Sequence, residues 1–257
     1  MKKICSVCGE DITGDSCVNG LSCYHVHCFL SKVAPTCCFC ELPIGRESFY
    51  HDDWKHAAHS YHKDVMRWCQ SCGRIYADDD MPHEKLWRSL CPPCAKTVVD
   101  DEDKLRDCLV RDLETLKAVG IVGIPSTIPI YIKPKHDMTH CLGKCYLSIH
   151  RESNHIDCHI DMVEGLSELE FRGVLAHELF HYWIAKFARK TTPQEEEGFC
   201  NLGKALIYTR ERSIHGDYLL WRMYKNDDKI YGDGYRLQKM RLEKMDWSEL
   251  LNSLYKK

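Results

Sequence analysis

Residues 174–181 read Val-Leu-Ala-His-Glu-Leu-Phe-His, so His177 and His181 stand four positions apart with Glu178 beside the first. On a helix, positions i and i+4 share a face, and two imidazoles there can reach one ion. Glu178 then projects next to them, where its carboxylate can act on a water bound to that ion. With 15 His in 257 residues, such a string arises by chance about 0.06 times in a chain of this length. A hydrolytic zinc takes three protein ligands and keeps a fourth position open. Glu195-Glu196-Glu197-Gly198-Phe199-Cys200 follows a short way downstream, on the next helix expected. An acidic triplet alone is a solvated helix start. Paired with the upstream motif it is a source of the third ligand, from Glu197 or Glu196.

The second chemical signal is thiol-rich. Of 17 Cys, those up to Cys94 include four Cys-x-x-Cys pairs: Cys5/Cys8, Cys37/Cys40, Cys69/Cys72 and Cys91/Cys94. A tight Cys-x-x-Cys turn presents two thiolates, and a closed structural zinc site needs two such halves. Cys5, Cys8, His25 and Cys28 make one set. Cys37 and Cys40 need two of His56, His59 and His62, and the spacing permits His56/His59 or His59/His62. Cys69, Cys72, Cys91 and Cys94 make a third. Cys17, Cys23, Cys38, Cys108, Cys141, Cys145, Cys158 and Cys200 are expected as core thiols. Zinc is therefore the implied cofactor, one catalytic ion and about three structural ones.

These residues require elements to hold them. Leu105, Leu109, Leu113 and Leu116 recur at helical spacing over Lys104–Val119. Short strands are expected at Ile128–Lys133, Cys145–Ile149 and His155–Met162. Ser167-Glu-Leu-Glu170 has the form of a capping box opening a helix through Ala188. Thr192-Pro193 with Glu195 opens another, and helical spacing returns over about Tyr235–Leu254. The fold class is α+β. The acidic run Asp100–Asp103 is either a solvated boundary or the acidic first turn of the Lys104 helix.

Composition sets the limits. Hydrophobic residues make up 44%, enough for a real core, and the net charge is −3 with a pI near 6.6. Neither a global charge nor a Lys/Arg stripe in residues 1–99 argues for nucleic acid or an anionic membrane. No apolar run is long enough to span a bilayer, and the start lacks the apolar stretch of a secretory signal. Many thiols without such a signal are better explained by metal than by disulfides, so a cytoplasmic zinc protein is expected.

Gly173-Val-Leu-Ala-His-Glu-Leu-Phe-His-Tyr-Trp183 followed by Glu196-Glu-Gly-Phe-Cys200 resembles the peptidase domain of the plant LIM-domain growth regulators that are activated by ubiquitin. Ala34-Pro-Thr-Cys-Cys-Phe-Cys40 is similar to a segment of that family's LIM-like region. Ile230-Tyr-Gly-Asp-Gly-Tyr-Arg236 is similar to its C-terminal Tyr-Gly-Asp-Gly-Phe-Arg. The first zinc set also has LIM spacing, apart from a long gap between Cys28 and Cys37. The resemblance implies a Glu-zincin endopeptidase, with His177, His181 and Glu197 as zinc ligands and Glu178 as general base. Four residues precede Cys5, so the family's ubiquitin-interacting motifs have no counterpart in this sequence, and a minimal relative is expected.

Such an enzyme also needs a donor for the oxyanion of the tetrahedral intermediate. Tyr231 is favoured by its place in the matching segment, with His215 and Tyr208 as alternatives. Asp233 is a candidate to orient a ligand His, although an Asp before Gly is more often a turn former. The strand His155–Met162 is the candidate edge for pairing with extended substrate. The expected organisation is a LIM-like two-zinc module at 1–66, a four-cysteine zinc knuckle at 67–99 and a zinc metallopeptidase domain at 100–257. Protein substrates are the expected partners, with the fingers recruiting a substrate or regulatory protein. The rival expectation is a catalytically idle zinc-finger adaptor.

Overall fold

The computed structural model describes residues 3–77, 87–150, 155–188 and 190–255. Contacts divide the chain into two units: Met1–Cys69 with Gly73–Met81, and Gln70–Cys72 with Pro82–Lys257. The segment expected as a separate knuckle at 67–99 is thus shared out between them.

The first unit consists of short antiparallel ribbons. Strand β1 (Ser16–Asn19) pairs with β2 (Ser22–His25), which runs into helix α1 (Val26–Lys32). Gly20, at φ +60°, makes the tight turn between the strands. Strand β3 (Phe49–His51) pairs with β4 (Ala57–His59), and β5 (Met66–Trp68) with β6 (Ile75–Ala77). The buried Asp52 carboxylate ties two ribbons together, accepting from the backbone N–H groups of Trp54, His56 and Ile75. Among the described residues one small buried apolar cluster gathers Cys37, Ile44, Ala57, Ala58, Met66 and Ile75. So thin a core leaves folding dependent on another source of free energy, and metal ligation is the usual one.

The second unit has the real core. After the short helix α2 (Pro92–Lys96) comes α3 (Glu102–Lys117), whose N-cap is Asp101, accepting from Lys104 N–H. Glu102 and Asp103 fill its first turn, so the acidic run begins a helix. Strands β7 (Ile130–Lys133), β8 (Gly143–His150) and β9 (His155–Val163) form one sheet in the order β7-β9-β8. β9 runs parallel to β7 and antiparallel to β8. Over Ile160–Val163 it has a neighbour on each side, so the expectation of His155–Met162 as a substrate-pairing edge fails there, while His155–His159 pair with β8 alone. β8 is an edge instead, pairing with no other strand among the described residues.

Helix α4 (Glu168–Phe187) carries the His-Glu-x-x-His string and is buried on nearly every face, with Phe171, Leu175, Ala176, Leu179, Phe180 and Trp183 inaccessible. A helix apolar all round belongs in the middle of a domain, between other elements. Helices α5 (Pro193–Glu211), α6 (Ile214–Tyr224), α7 (Tyr231–Lys244) and α8 (Trp247–Leu254) complete the unit. α6 has no counterpart among the expected elements, and the helical pattern over Tyr235–Leu254 is two helices, the second capped by Asp246. No helix among the described residues is long and apolar enough to cross a membrane.

Two local expectations change chemistry. Thr192 does form a capping box with Glu195. Ser167 stands at the N-cap of α4 but makes no cap bond; its hydroxyl meets that of Ser71 at 2.6 Å. Glu170, the would-be partner in that box, is buried and paired with Arg88 at 2.8 Å. The Tyr231-Gly-Asp-Gly segment is not a turn but the first turn of α7. There a Cβ on Gly198 would lie 2.2 Å from the Gly234 carbonyl oxygen, so paired glycines let α5 and α7 touch backbone to backbone.

Candidate metal centre

His177 and His181 lie in mid-α4, their rings 5.1 Å apart. Each is oriented from outside by a residue of α5. His177 Nδ1 lies 3.0 Å from Asn201 Oδ1. The Asn201 amide orientation is set by its Nδ2, which donates to the Tyr231 carbonyl at 3.1 Å. An amide oxygen only accepts, so Nδ1 carries the proton and Nε2 keeps its lone pair. His181 Nδ1 lies 3.2 Å from Glu196 Oε1, and the same logic frees its Nε2. Thr191 Oγ1 in turn donates to the other Glu196 oxygen.

Both Nε2 atoms face Glu197. Its Oε2 is 3.1 Å from His177 Nε2 and 3.7 Å from His181 Nε2. That oxygen is buried and has no hydrogen-bond partner. Two lone-pair nitrogens and an unpartnered carboxylate oxygen facing one another is a poor arrangement without a cation between them. Ligands of one tetrahedral zinc with bonds near 2.0–2.2 Å sit about 3.3–3.5 Å apart, and the two separations bracket that range. The residues therefore fit the ion.

Cys200, one turn beyond Glu197, is fully buried as a core thiol should be, yet its sulfur also converges with His177 and His181, the three ligand atoms lying within 4.8 Å of one another. Burial, opposed by His181, pushes the Cys200 thiol up to about 11, so by itself it stays protonated. Burial disfavours a charged His181, but Cys200, Glu196 and Glu178 outweigh it and raise its pKa to about 12. The surroundings of His181 thus favour a positive charge beside it. Glu178 is buried beside them. Gly143, at the start of β8, packs on it so closely that a Cβ there would lie 2.8 Å from Glu178 Oε1 and 2.7 Å from Val174 Cγ1. The edge strand therefore abuts the presumptive base.

The other candidates separate. Tyr231, 45% exposed, opens α7 next to the site, and burial, then Glu197, raise its pKa. Tyr208 is buried against Gly173, whose Cβ would meet its ring at 2.3 Å. His215 Nε2 is 2.9 Å from Ser71 Oγ, which meets Ser167 at the far N-terminal end of α4. Neither is brought to the His177–His181 pair. Asp233 pairs with Arg236, so Asn201 does the orienting expected of it. Asn201 was not singled out in the sequence. Its position four residues after Glu197 on the same helix is the signal that could have found it.

Three further groups could each hold a metal, with ligand atoms within 4.8 Å: Cys5, Cys8, His25, Cys28; Cys37, Cys40, His59, His62; and Cys69, Cys72, Cys91, Cys94. Of the three histidines offered for the second group, His59 and His62 converge with Cys37 and Cys40, and His56 is not among the converging ligand atoms; its Nδ1 lies 2.9 Å from Asp52 Oδ2. Cys17 and Cys23 stand outside the first group; Cys17 is buried, Cys23 only half-buried, and Cys38, also expected as a core thiol, is exposed, while His27 touches Cys28 Sγ at 3.2 Å.

No protein-family model matches the chain, and no solved structure does. Among curated proteins it is similar to Protein DA1-related 2 of Arabidopsis thaliana, 25% identical over an alignment of 249 residues that covers 77% of this chain. That alignment covers 47% of the plant protein, so the chain spans about half the length of the curated relative it matches.

Proposed function

We propose that this chain is a zinc-dependent endopeptidase that cuts protein substrates, its remaining Cys/His groups being structural zinc sites. The observation that carries the reading is the buried, unpartnered Glu197 Oε2 facing two oriented imidazole Nε2 atoms, with Glu178 alongside. His177, His181 and Glu197 would hold the ion. When bound, zinc supplies Lewis acidity to the scissile carbonyl and lowers the pKa of its water. Glu178 takes a proton from the attacking water and passes it to the departing amine. Tyr231, kept protonated, donates to the oxyanion as the carbonyl becomes tetrahedral. Extended substrate pairs with the unoccupied edge of β8, which delivers its backbone beside Glu178.

Glu197 is preferred over Cys200 as third ligand because its buried Oε2 faces both Nε2 atoms and has no hydrogen-bond partner of its own. The zinc modules of the first unit recruit protein partners. Similarity to the plant protein supports this family resemblance without assigning the activity. The test is cleavage of an unfolded protein such as reduced casein. Fragments should form, vanish with a chelator and return on adding zinc. A zinc-replete protein that leaves the substrate intact points instead to the adaptor.

A further inference from the structure

Two cysteines outside every metal group stand sulfur to sulfur. On the β8–β9 ladder Cys145 is opposite Ile160, and Cys158 is opposite Leu147. Cys145 and Cys158 are therefore diagonal neighbours on the core-facing side of the sheet, and their Sγ atoms are 3.6 Å apart. Both are partly exposed, whereas Cys108 and Cys200 are buried, so a small reagent can reach this pair. The two thiols share a hydrogen bond: it raises Cys145 and lowers Cys158 against the effect of burial, which makes Cys158 the thiolate of the pair. Two residues before Cys145, Gly143 packs on Glu178.

We propose that Cys145 and Cys158 are a redox modification site, forming a reversible cross-strand disulfide when the chain meets a low-molecular-weight disulfide such as oxidised glutathione. The Cys158 thiolate attacks one sulfur of the reagent and expels a thiolate. The Cys145 thiol then attacks Cys158 in the mixed disulfide and releases the second half of the reagent as a thiol. One S–S bond breaks in the reagent and one forms in the protein, and two electrons pass to the reagent. Diagonal neighbours typically have Cα atoms about 7–8 Å apart, and a disulfide wants about 4.4–6.8 Å. Closing the bond thus draws the two strands together and shifts β8 at its contact with Glu178. Resting on the peptidase reading, this lowers turnover in the oxidised form.

The zinc-loaded full chain is equilibrated with defined ratios of reduced and oxidised glutathione, alkylated, and digested with trypsin without reduction. Cleavage after Arg151 separates the two cysteines, so a linked peptide pair reports the bond directly. The expected result is that this pair appears with loss of two thiols and before zinc is released, and that Cys158→Ser abolishes it. Both thiols remaining alkylatable until zinc is lost, a lasting mixed disulfide at one of them, or a bond to a different cysteine overturns the proposal. Turnover is followed on the same samples, with Cys158→Ser expected to lose redox sensitivity. A linked pair with unchanged turnover overturns the control of β8. A protein inactive in its reduced form sinks the peptidase reading, while the linkage is still decided by the peptide map.

Discussion

On the proposed peptidase reading, Glu178 and Glu197 are two carboxylates at one site with different tasks, and the difference is measurable. Glu197 faces both Nε2 atoms, whereas Glu178 is packed beside them against Gly143. Glu178→Gln keeps the side-chain shape and the ligand set, so zinc content and folding should stay near wild type. Turnover should fall about 10²–10⁴-fold, the usual effect of removing a positioned base. Glu197→Ala removes a ligand and should lose the labile zinc along with activity, read by metal analysis after desalting. A Gln variant that cuts at the wild-type rate would overturn the base assignment. Asn201 acts one step further out. Asn201→Ala frees His177 Nδ1 and should weaken zinc binding about 10–100-fold, measured by competition with a chromogenic chelator. Asn201→Asp keeps the acceptor and should restore most of that affinity; if both variants bind zinc like wild type, the orienting role is wrong.

At the scale of elements, the site depends on how closely helices and strand approach. Glu197 sits next to Gly198, where α5 meets the Gly234 backbone of α7 with no room for a methyl. Backbone atoms cannot rotate out of the way, so Gly198→Ala must push the helices apart. We expect a loss of about 1–3 kcal/mol in denaturant midpoint analysis, the range of overpacking. Because Glu197 moves with the helix, weaker zinc binding should accompany it. An alanine variant with wild-type stability would mean that the close crossing is not a constraint. The same reasoning explains the glycines of the Tyr231-Gly-Asp-Gly segment: a Cβ on Gly232 would lie 1.9 Å from the Asn226 carbonyl oxygen.

At the scale of the whole molecule, about four zinc ions per chain are expected, three held tightly and one removed more easily, because closed four-ligand sites release metal less readily than an open one. Metal analysis before and after brief chelation checks this, and one ion or none would remove the finger reading. Gln70–Cys72 and the segment from Arg88 to Val99 are bonded into the second unit. Val99 N–H bonds Leu166 carbonyl, Ser71 meets Ser167, Arg222 donates to the Gln70 carbonyl, and Arg88 and Glu170 pair while both are buried. Breaking a buried ion pair leaves an uncompensated charge at a typical cost of about 3–5 kcal/mol. Cys94→Ser should therefore destabilise the second unit as a whole, seen as a lowered, still cooperative melt, and small-peptide turnover should fall with it. A local loss of order with an unchanged melt would restore the picture of a detachable recruiting finger.

What the amino-acid sequence alone determined was whatever rests on local spacing. His177, Glu178 and His181 share a helix, three of the Cys-x-x-Cys pairs make a turn and the fourth, Cys91/Cys94, opens α2, and Thr192-Pro193 starts a helix, because a period of 3.6 or a tight turn needs no distant partner. The tertiary structure decided what depends on which surfaces meet. It took Ser167 from its cap to Ser71 and gave Glu170 to Arg88. It brought His59 and His62, and not His56, to Cys37 and Cys40. It set β9 inside the sheet with β8 at the edge, since strand order follows from pairing between segments rather than from either pattern. It also turned an Asn four residues past Glu197 toward His177. Helical spacing places that residue on the right face, but only the packing of α5 against α4 puts an imidazole in front of it.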